Sequence, residues 1–288
     1  MRMDPFGRTR YSRNPRQRRR GISLRLIPIA LFALFLAYYW FSNQEIVPMT
    51  ERRQLVDLTR EEETELGFQS YQQVLNQENV LHSGEVVDQV REIGLRLAKA
   101  AADVDPGFDW EFNVIDSEQA NAFALPGGKV AVYTGILDVT KNQDGLSAVM
   151  GHEIAHAIAR HGAERMAYQK LIQWGTMAIS IAVGDMGYNT QRMVQGALGM
   201  GSKYGVLLPF SRSHESEADY MGLIIAARAC YDPREAPKLW KRMGEHSKGQ
   251  PQEFMSTHPS HETRIQLLNE WMPEALEIYK ENCTNASF

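Results

Sequence analysis

Apolar residues return at helical spacing between Gly145 and Met166, at Leu146, Val149, Met150, Ile154, Ala157 and Ile158, which predicts one buried helix. Asn142 or Asp144 is placed to cap its start, and Gly162 stands near its end. Upstream, Thr59–Leu75 reads as a helix with Thr59 as its cap. Glu61, Glu62 and Glu63 fill its first turn, where acids suit the helix dipole and face solvent. Glu85–Ala102 is a further amphipathic helix.

The texture turns to alternation at Trp110-Glu111-Phe112-Asn113-Val114-Ile115 and again at Lys129-Val130-Ala131-Val132-Tyr133-Thr134, which predicts strands. Between them, Asn121 to Leu125 approaches a turn signalled by Pro126-Gly127-Gly128. Helices around a small sheet make the fold class α+β, mainly helical. Gln169–Leu208 is less regular. Leu171–Val183 is apolar, but its 13 residues fit a core helix better than a membrane span. Val194–Leu208, interrupted by Gly196, Gly199, Gly201 and Gly205, predicts a mobile loop or a cover, with a membrane-dipping pair as the alternative.

Leu26–Phe41 is uncharged and aliphatic to aromatic, and Tyr38, Tyr39, Trp40 and Phe41 stand where an interfacial belt would lie. The stretch is short for a span unless Ile22 to Leu24 extend it while Arg25 snorkels. Residues 1–41 hold nine Arg, no Lys and one acid, a net +8, so the formal −4 of the whole chain leaves −12 on the rest. That asymmetry predicts a single transmembrane anchor with its N-terminus in the cytoplasm. Residues 41–44 lack a small-residue cleavage site, which favours an uncleaved anchor over a signal peptide; an Arg-rich mitochondrial presequence is the other alternative. An acidic body argues against nucleic acid as partner. The organisation expected is a basic tail (1–23), an anchor (24–41), a polar linker (42–54), a catalytic domain (55–275) and a C-terminal tail (276–288). With only Cys230 and Cys283, no disulfide framework is implied; the two form one bridge or remain buried thiols.

Candidate chemistry sits on the buried helix. His152-Glu153-Ile154-Ala155-His156 puts two imidazoles one turn apart, about 40° from each other around the axis, so both can hold one Zn²⁺. Glu153 stands beside them, where it can take a proton from an activated water. A third ligand must come from another element, and residues 211–219 offer a His and three acids. Glu215 and Asp219 share a helix face, so that pair can supply one ligand and one acceptor for an imidazole N–H. Glu217 points about 200° away and is expected to face solvent; His214, about 100° off, is expected to be structural. His161, about 180° around the helix from His152, is expected to be a cap or surface residue.

These residues resemble the gluzincin metallopeptidase family of the CAAX prenyl protease, HtpX and BepA. The resemblance is carried by His152-Glu153-x-x-His156 and by Ser211-Arg212-x-x-Glu215-x-x-Ala218-Asp219. It extends to Asn121-Ala122-Phe123-Ala124-x-Pro126-Gly127-Gly128 and Ser256-Thr257-His258-Pro259-x-x-x-x-Arg264-Ile265. Four motifs in family order cover roughly residues 55–270, and the single anchor is similar to the Oma-like branch. The resemblance implies a zincin-type domain holding one Zn²⁺ per chain through His152, His156 and Glu215, with Glu153 as base and Asp219 behind the ligands. It implies that Asn121, Ala122, Phe123 and Ala124 form a strand or rim facing substrate, and that His258 and Arg264 lie over the metal. There they would steady an oxyanion. In some relatives the matching His takes the fourth zinc position and keeps the enzyme latent. His261 matches no ligand position.

The function expected is zinc-dependent endoproteolysis of protein or peptide substrates in the quality control of misfolded envelope proteins. The setting is a bacterial inner membrane with the body in the periplasm, or alternatively a mitochondrial inner membrane. A largely latent, membrane-anchored chaperone or adaptor is the second expectation, and a non-peptidase zinc hydrolase is disfavoured by the rim. Substrate identity and oligomeric state are not encoded in these motifs.

Overall fold

The computed structural model describes residues 26–182, 187–202, 208–246, Phe254, His258 and 262–283. The chain divides after Ser42 into two compact units. The described part of the first is α1 (Leu26–Ser42), apolar along its length. At about 1.5 Å per residue its 17 residues reach roughly 25 Å, short of a hydrocarbon core of about 30 Å. Among the described residues no helix is long and apolar enough to cross a membrane. Residues 1–25, including the basic tail and the first two residues of the expected anchor, lie outside the described residues.

The second unit opens with an antiparallel hairpin, β1 (Gln44–Ile46) and β2 (Arg53–Leu55), in the register Glu45↔Gln54. The sequence predicts a polar linker over residues 42–54. Residues 43–54 are folded into the second unit instead, because Val47 joins the main core and Gln54 is buried.

The helix α2 (Arg60–Gln77) starts with a capping box: Thr59 accepts from the Glu62 N–H, and Glu62 accepts from the Thr59 N–H. Glu63, expected to face solvent, is buried against Arg160. A short strand β3 (Val80–Leu81) leads to α3 (Glu85–Ala100). The apolar stripe of α3, Val87, Val90, Ile93 and Leu97, is buried at the helical period the sequence carries.

A four-stranded sheet follows in the order β3-β4-β6-β5, from β4 (Glu111–Ile115), β5 (Ala122–Leu125) and β6 (Lys129–Tyr133). The parallel pair β4–β6 is flanked by antiparallel partners, and β5 is an edge strand. The β5–β6 turn works because Gly127 and Gly128 both take φ of +84°, open to glycine at no steric cost. Every residue of β6 is buried.

A short helix α4 (Leu137–Thr140) leads into α5 (Gln143–Ile158), capped by Asn142, whose side chain accepts from the Gly145 N–H at 2.7 Å. Leu146, Val149, Met150, Ile154 and Ile158 make it the centre of the core. The single helix expected over 145–166 is two. Arg160 takes φ of +58°, and α6 (His161–Ala182) starts afresh with Gly162 inside it. Arg160 is held in that costly conformation by Glu45, Glu63 and the Leu58 carbonyl.

Two other expectations change here. The apolar stretch from Leu171 lies on the outer half of α6, where Met177 and Ile181 are exposed, so it is not a core helix. The glycine-interrupted stretch is helical in α7 (Tyr188–Ser202), not a loop, as far as it is described; Gly205 lies outside. The body closes with α8 (Leu208–Arg228), α9 (Glu235–His246) and α10 (Glu262–Cys283). Residues 276–283, expected in a tail, continue α10, and Cys283 is bridged to Cys230.

Candidate metal centre

The helices α5 and α8 cross at two glycines. A Cβ on Gly151 would meet the Gly222 carbonyl oxygen at 3.0 Å, so only bare backbone permits this approach. The crossing brings His152 and His156 of α5 against Glu215 and Asp219 of α8.

His156 Nε2 is 3.1 Å from His152 Nε2. Glu215 places Oε2 3.3 Å from His152 Nε2 and Oε1 3.5 Å from His156 Nε2. His258 completes the group, with Nδ1 3.2 Å from His152 Nε2 and 3.1 Å from both Glu215 oxygens. The four donor atoms lie within 4.8 Å of one another. A tetrahedral metal with bonds near 2.0 Å spaces its ligand atoms about 3.3 Å apart. The spacing and the nitrogen–oxygen donor set therefore fit one ion.

Behind this group, His152 Nδ1 lies 3.0 Å from Asp219 Oδ1, so the imidazole N–H has a carboxylate to donate to. Arg264 binds both Asp219 oxygens, stands 3.3 Å from Glu215 Oε2 and lies over the Trp240 ring at 3.3 Å. The family resemblance places it over the metal, as an oxyanion partner. The structure buries it at 4% exposure, with its guanidinium against the two carboxylates and 3.2 Å from both nitrogens of His152.

Glu153 is 2% exposed and lies near enough to edge strand β5 for the Ala124 backbone to favour its charged form. Its Oε1 has no hydrogen-bond partner, although His258 Nε2 is 3.5 Å away. A buried carboxylate oxygen left this way, beside a metal-binding group and an edge strand, is equipped to accept a proton from a water placed there. Of the expected rim, Ala122 is buried and Asn121, Phe123 and Ala124 are half-buried; the Asn121 side chain accepts from the Ala122 N–H.

The His258 N–H donates to the Phe254 carbonyl at 2.8 Å. The Phe254 ring is buried and stacks on the imidazole at 4.7 Å. The flanking motif residues Ser256, Thr257 and Pro259, and His261, lie outside the described residues.

Burial and the Arg264 charge lower the His152 imidazole, but hydrogen bonds to Asp219 and Glu215 outweigh them and lift it to about 9. Burial holds His156 well below its usual value. Burial raises Glu153, partly offset by the His258 and His152 charges. Burial also works against the Glu215 carboxylate, yet hydrogen bonds from His152 and His258 hold it far below the ordinary carboxylate range.

Sequence reasoning missed His161 and Glu217. Both are buried and bonded to each other; neither is a surface residue. The wheel that puts His161 opposite the ligands assumes a straight helix, and Arg160, not a glycine, breaks it by turning left-handed. His214, expected to be structural, is buried against Glu164.

Residues 86–272 match Peptidase family M48. The chain is similar to the mitochondrial metalloendopeptidase OMA1 of Schizosaccharomyces pombe, 36% identical over 242 residues, which cover 82% of this chain and 69% of that protein. It is 31% identical to the protein of the same name from Saccharomyces cerevisiae, over 85% of this chain and 73% of the relative. A beta-barrel assembly-enhancing protease of Yersinia pestis is 26% identical over 77% of this chain and 46% of that protein.

Proposed function

The chain belongs to peptidase family M48 and is a metalloendopeptidase, and on that footing we propose that it is a zinc enzyme, membrane-anchored, that cleaves misfolded envelope proteins. The observation that carries the reading is the fit of His152, His156 and Glu215 to a tetrahedral ion, with the unpartnered Glu153 oxygen beside it. When bound, zinc supplies a Lewis acid that makes water nucleophilic at neutral pH.

The chain's own residues do the rest. Asp219 and Arg264 hold His152 and Glu215 in orientation. Glu153 takes the proton of the attacking water and returns it to the leaving amine. The edge strand β5 offers its backbone to an extended substrate, a pairing that needs no particular side-chain sequence and so suits unfolded chains.

Anchoring through residues 24–41 is supported by their uncharged composition from Leu26 onward and the arginines that precede it. The Cys230–Cys283 bridge suits an oxidising compartment such as the periplasm. The names of the yeast relatives favour a mitochondrial setting as the second one.

His258 supports a second reading, a largely latent protease or adaptor. Seated among the ligands, it fills the position that catalytic zinc sites leave open. Casein digestion by the zinc-loaded protein, wild type against His258→Ala, tests both readings. Cleavage that a chelator abolishes and zinc restores supports the enzyme, and a faster His258→Ala variant supports latency. Stoichiometric zinc with no cleavage by either protein would replace the protease with the adaptor.

A further inference from the structure

A ring that gives its Nε2 lone pair to a metal carries its proton on Nδ1 and needs an acceptor there. For His152 that acceptor is Asp219. The Nδ1 of His156 faces another imidazole, 2.8 Å from His161 Nδ1, and His161 Nε2 lies 2.9 Å from Glu217 Oε2. One proton assignment satisfies both bonds: His156 Nδ1–H donates to His161, and His161 Nε2–H donates to Glu217. The break at Arg160 is what turns His161 back toward His156.

The far end of this chain is tied down by the β1–β2 turn. Glu217 accepts from the Thr50 hydroxyl and from Arg52 Nε at 2.8 Å. The other two guanidinium nitrogens of Arg52 donate to Glu164 at 3.0 and 2.7 Å. Glu164 meets His214 Nε2 at 2.9 Å, and the His214 ring stacks on His161 with centroids 4.0 Å apart and planes 10° apart. The relay is thus fixed at its end and along its face, in a buried place where a misaligned hydrogen bond is costly.

We propose that His161 and Glu217 form a relay that orients His156 for the metal, and that Arg52 of the β1–β2 turn clamps it. The inference rests on the reading of His152, His156 and Glu215 as a zinc site. α8 then supplies three carboxylates with three tasks: Glu215 as ligand, Asp219 bound directly to one imidazole, and Glu217 bound through His161 to the other. His161 and Glu217 are positioning residues, and the segment that follows α1 in the chain sets how firmly the metal is held.

The test uses the full-length protein, with zinc affinity read by chelator competition and ligand geometry by the visible spectrum of the cobalt-substituted form. His161→Gln keeps an acceptor toward His156 and a donor toward Glu217, whereas His161→Leu removes both. The relay predicts a loss of zinc affinity of about 10–100-fold and shifted cobalt bands for His161→Leu, and a loss within about threefold for His161→Gln. Arg52→Gln should fall between them. Wild-type affinity in His161→Leu, or equal losses in the Leu and Gln variants, would overturn the relay. Unchanged affinity in Arg52→Gln would overturn the clamp. A wild-type protein that takes up no zinc would instead sink the zinc reading itself, and the relay with it.

Discussion

Gly222 lies so close to Gly151 that a Cβ on Gly222 would stand 2.8 Å from the His152 nitrogen and 2.9 Å from the Gly151 carbonyl carbon. Those neighbours are backbone and cannot swing aside. Gly222→Ala must therefore push α8 off α5 and move Glu215 away from the two imidazoles. Overpacking of this kind costs about 1–3 kcal/mol of stability. Each 1.4 kcal/mol of it felt at the metal is about a tenfold loss of affinity. Thermal melting and chelator competition measure the two effects. A variant that melts and binds zinc like wild type would show that this crossing does not set the ligand spacing.

Asp219→Asn should weaken zinc binding about 10–100-fold, because the acceptor of the His152 N–H loses its charge and Arg264 loses its buried partner. Isothermal titration with zinc reads this directly. An unchanged affinity would mean that Asp219 serves Arg264 alone.

Much of this site is legible from spacing, and the reason is local geometry. The pairs His152/His156 and Glu215/Asp219 each lie one turn apart on an unbroken stretch of helix, so a helical wheel places them correctly. The wheel fails where the chain bends or where two elements meet. Arg160 turns left-handed without glycine, stabilised by Glu45 and Glu63 from distant segments, and so the wheel misplaces His161. Glu217 reads as solvent-facing because its partners, Thr50, Arg52 and His161, come from other elements. Alternation and capping locate α2, α3, β4 and β6. The glycines of α7 suggest a loop because propensity weighs each residue alone, whereas the segment is helical through Ser202.

Stability at low pH should depend on Glu164. Burial would raise its carboxyl, but hydrogen bonds from His214 and Arg52, and their charges, hold it below the ordinary 4.5. The unfolded chain then binds the proton more readily than the folded one. This contribution is fully present above pH 4.5 and is lost as pH falls through the lowered folded value. Melting temperature followed from about pH 6 to about pH 3 should therefore drop more steeply for wild type than for Glu164→Gln. Parallel profiles would remove Glu164 from the acid response.

The central claim is that Glu153 is the base of a metal-dependent peptidase whose ligands are intact without it. The direct measurement is a paired assay of Glu153→Gln and wild type, with zinc content by metal analysis and cleavage of casein by gel. Since general-base removal costs at least about 10²–10⁴-fold, the variant should hold one zinc per chain and show no detectable cleavage. Cleavage by Glu153→Gln at the wild-type rate, with zinc still bound, would contradict the account.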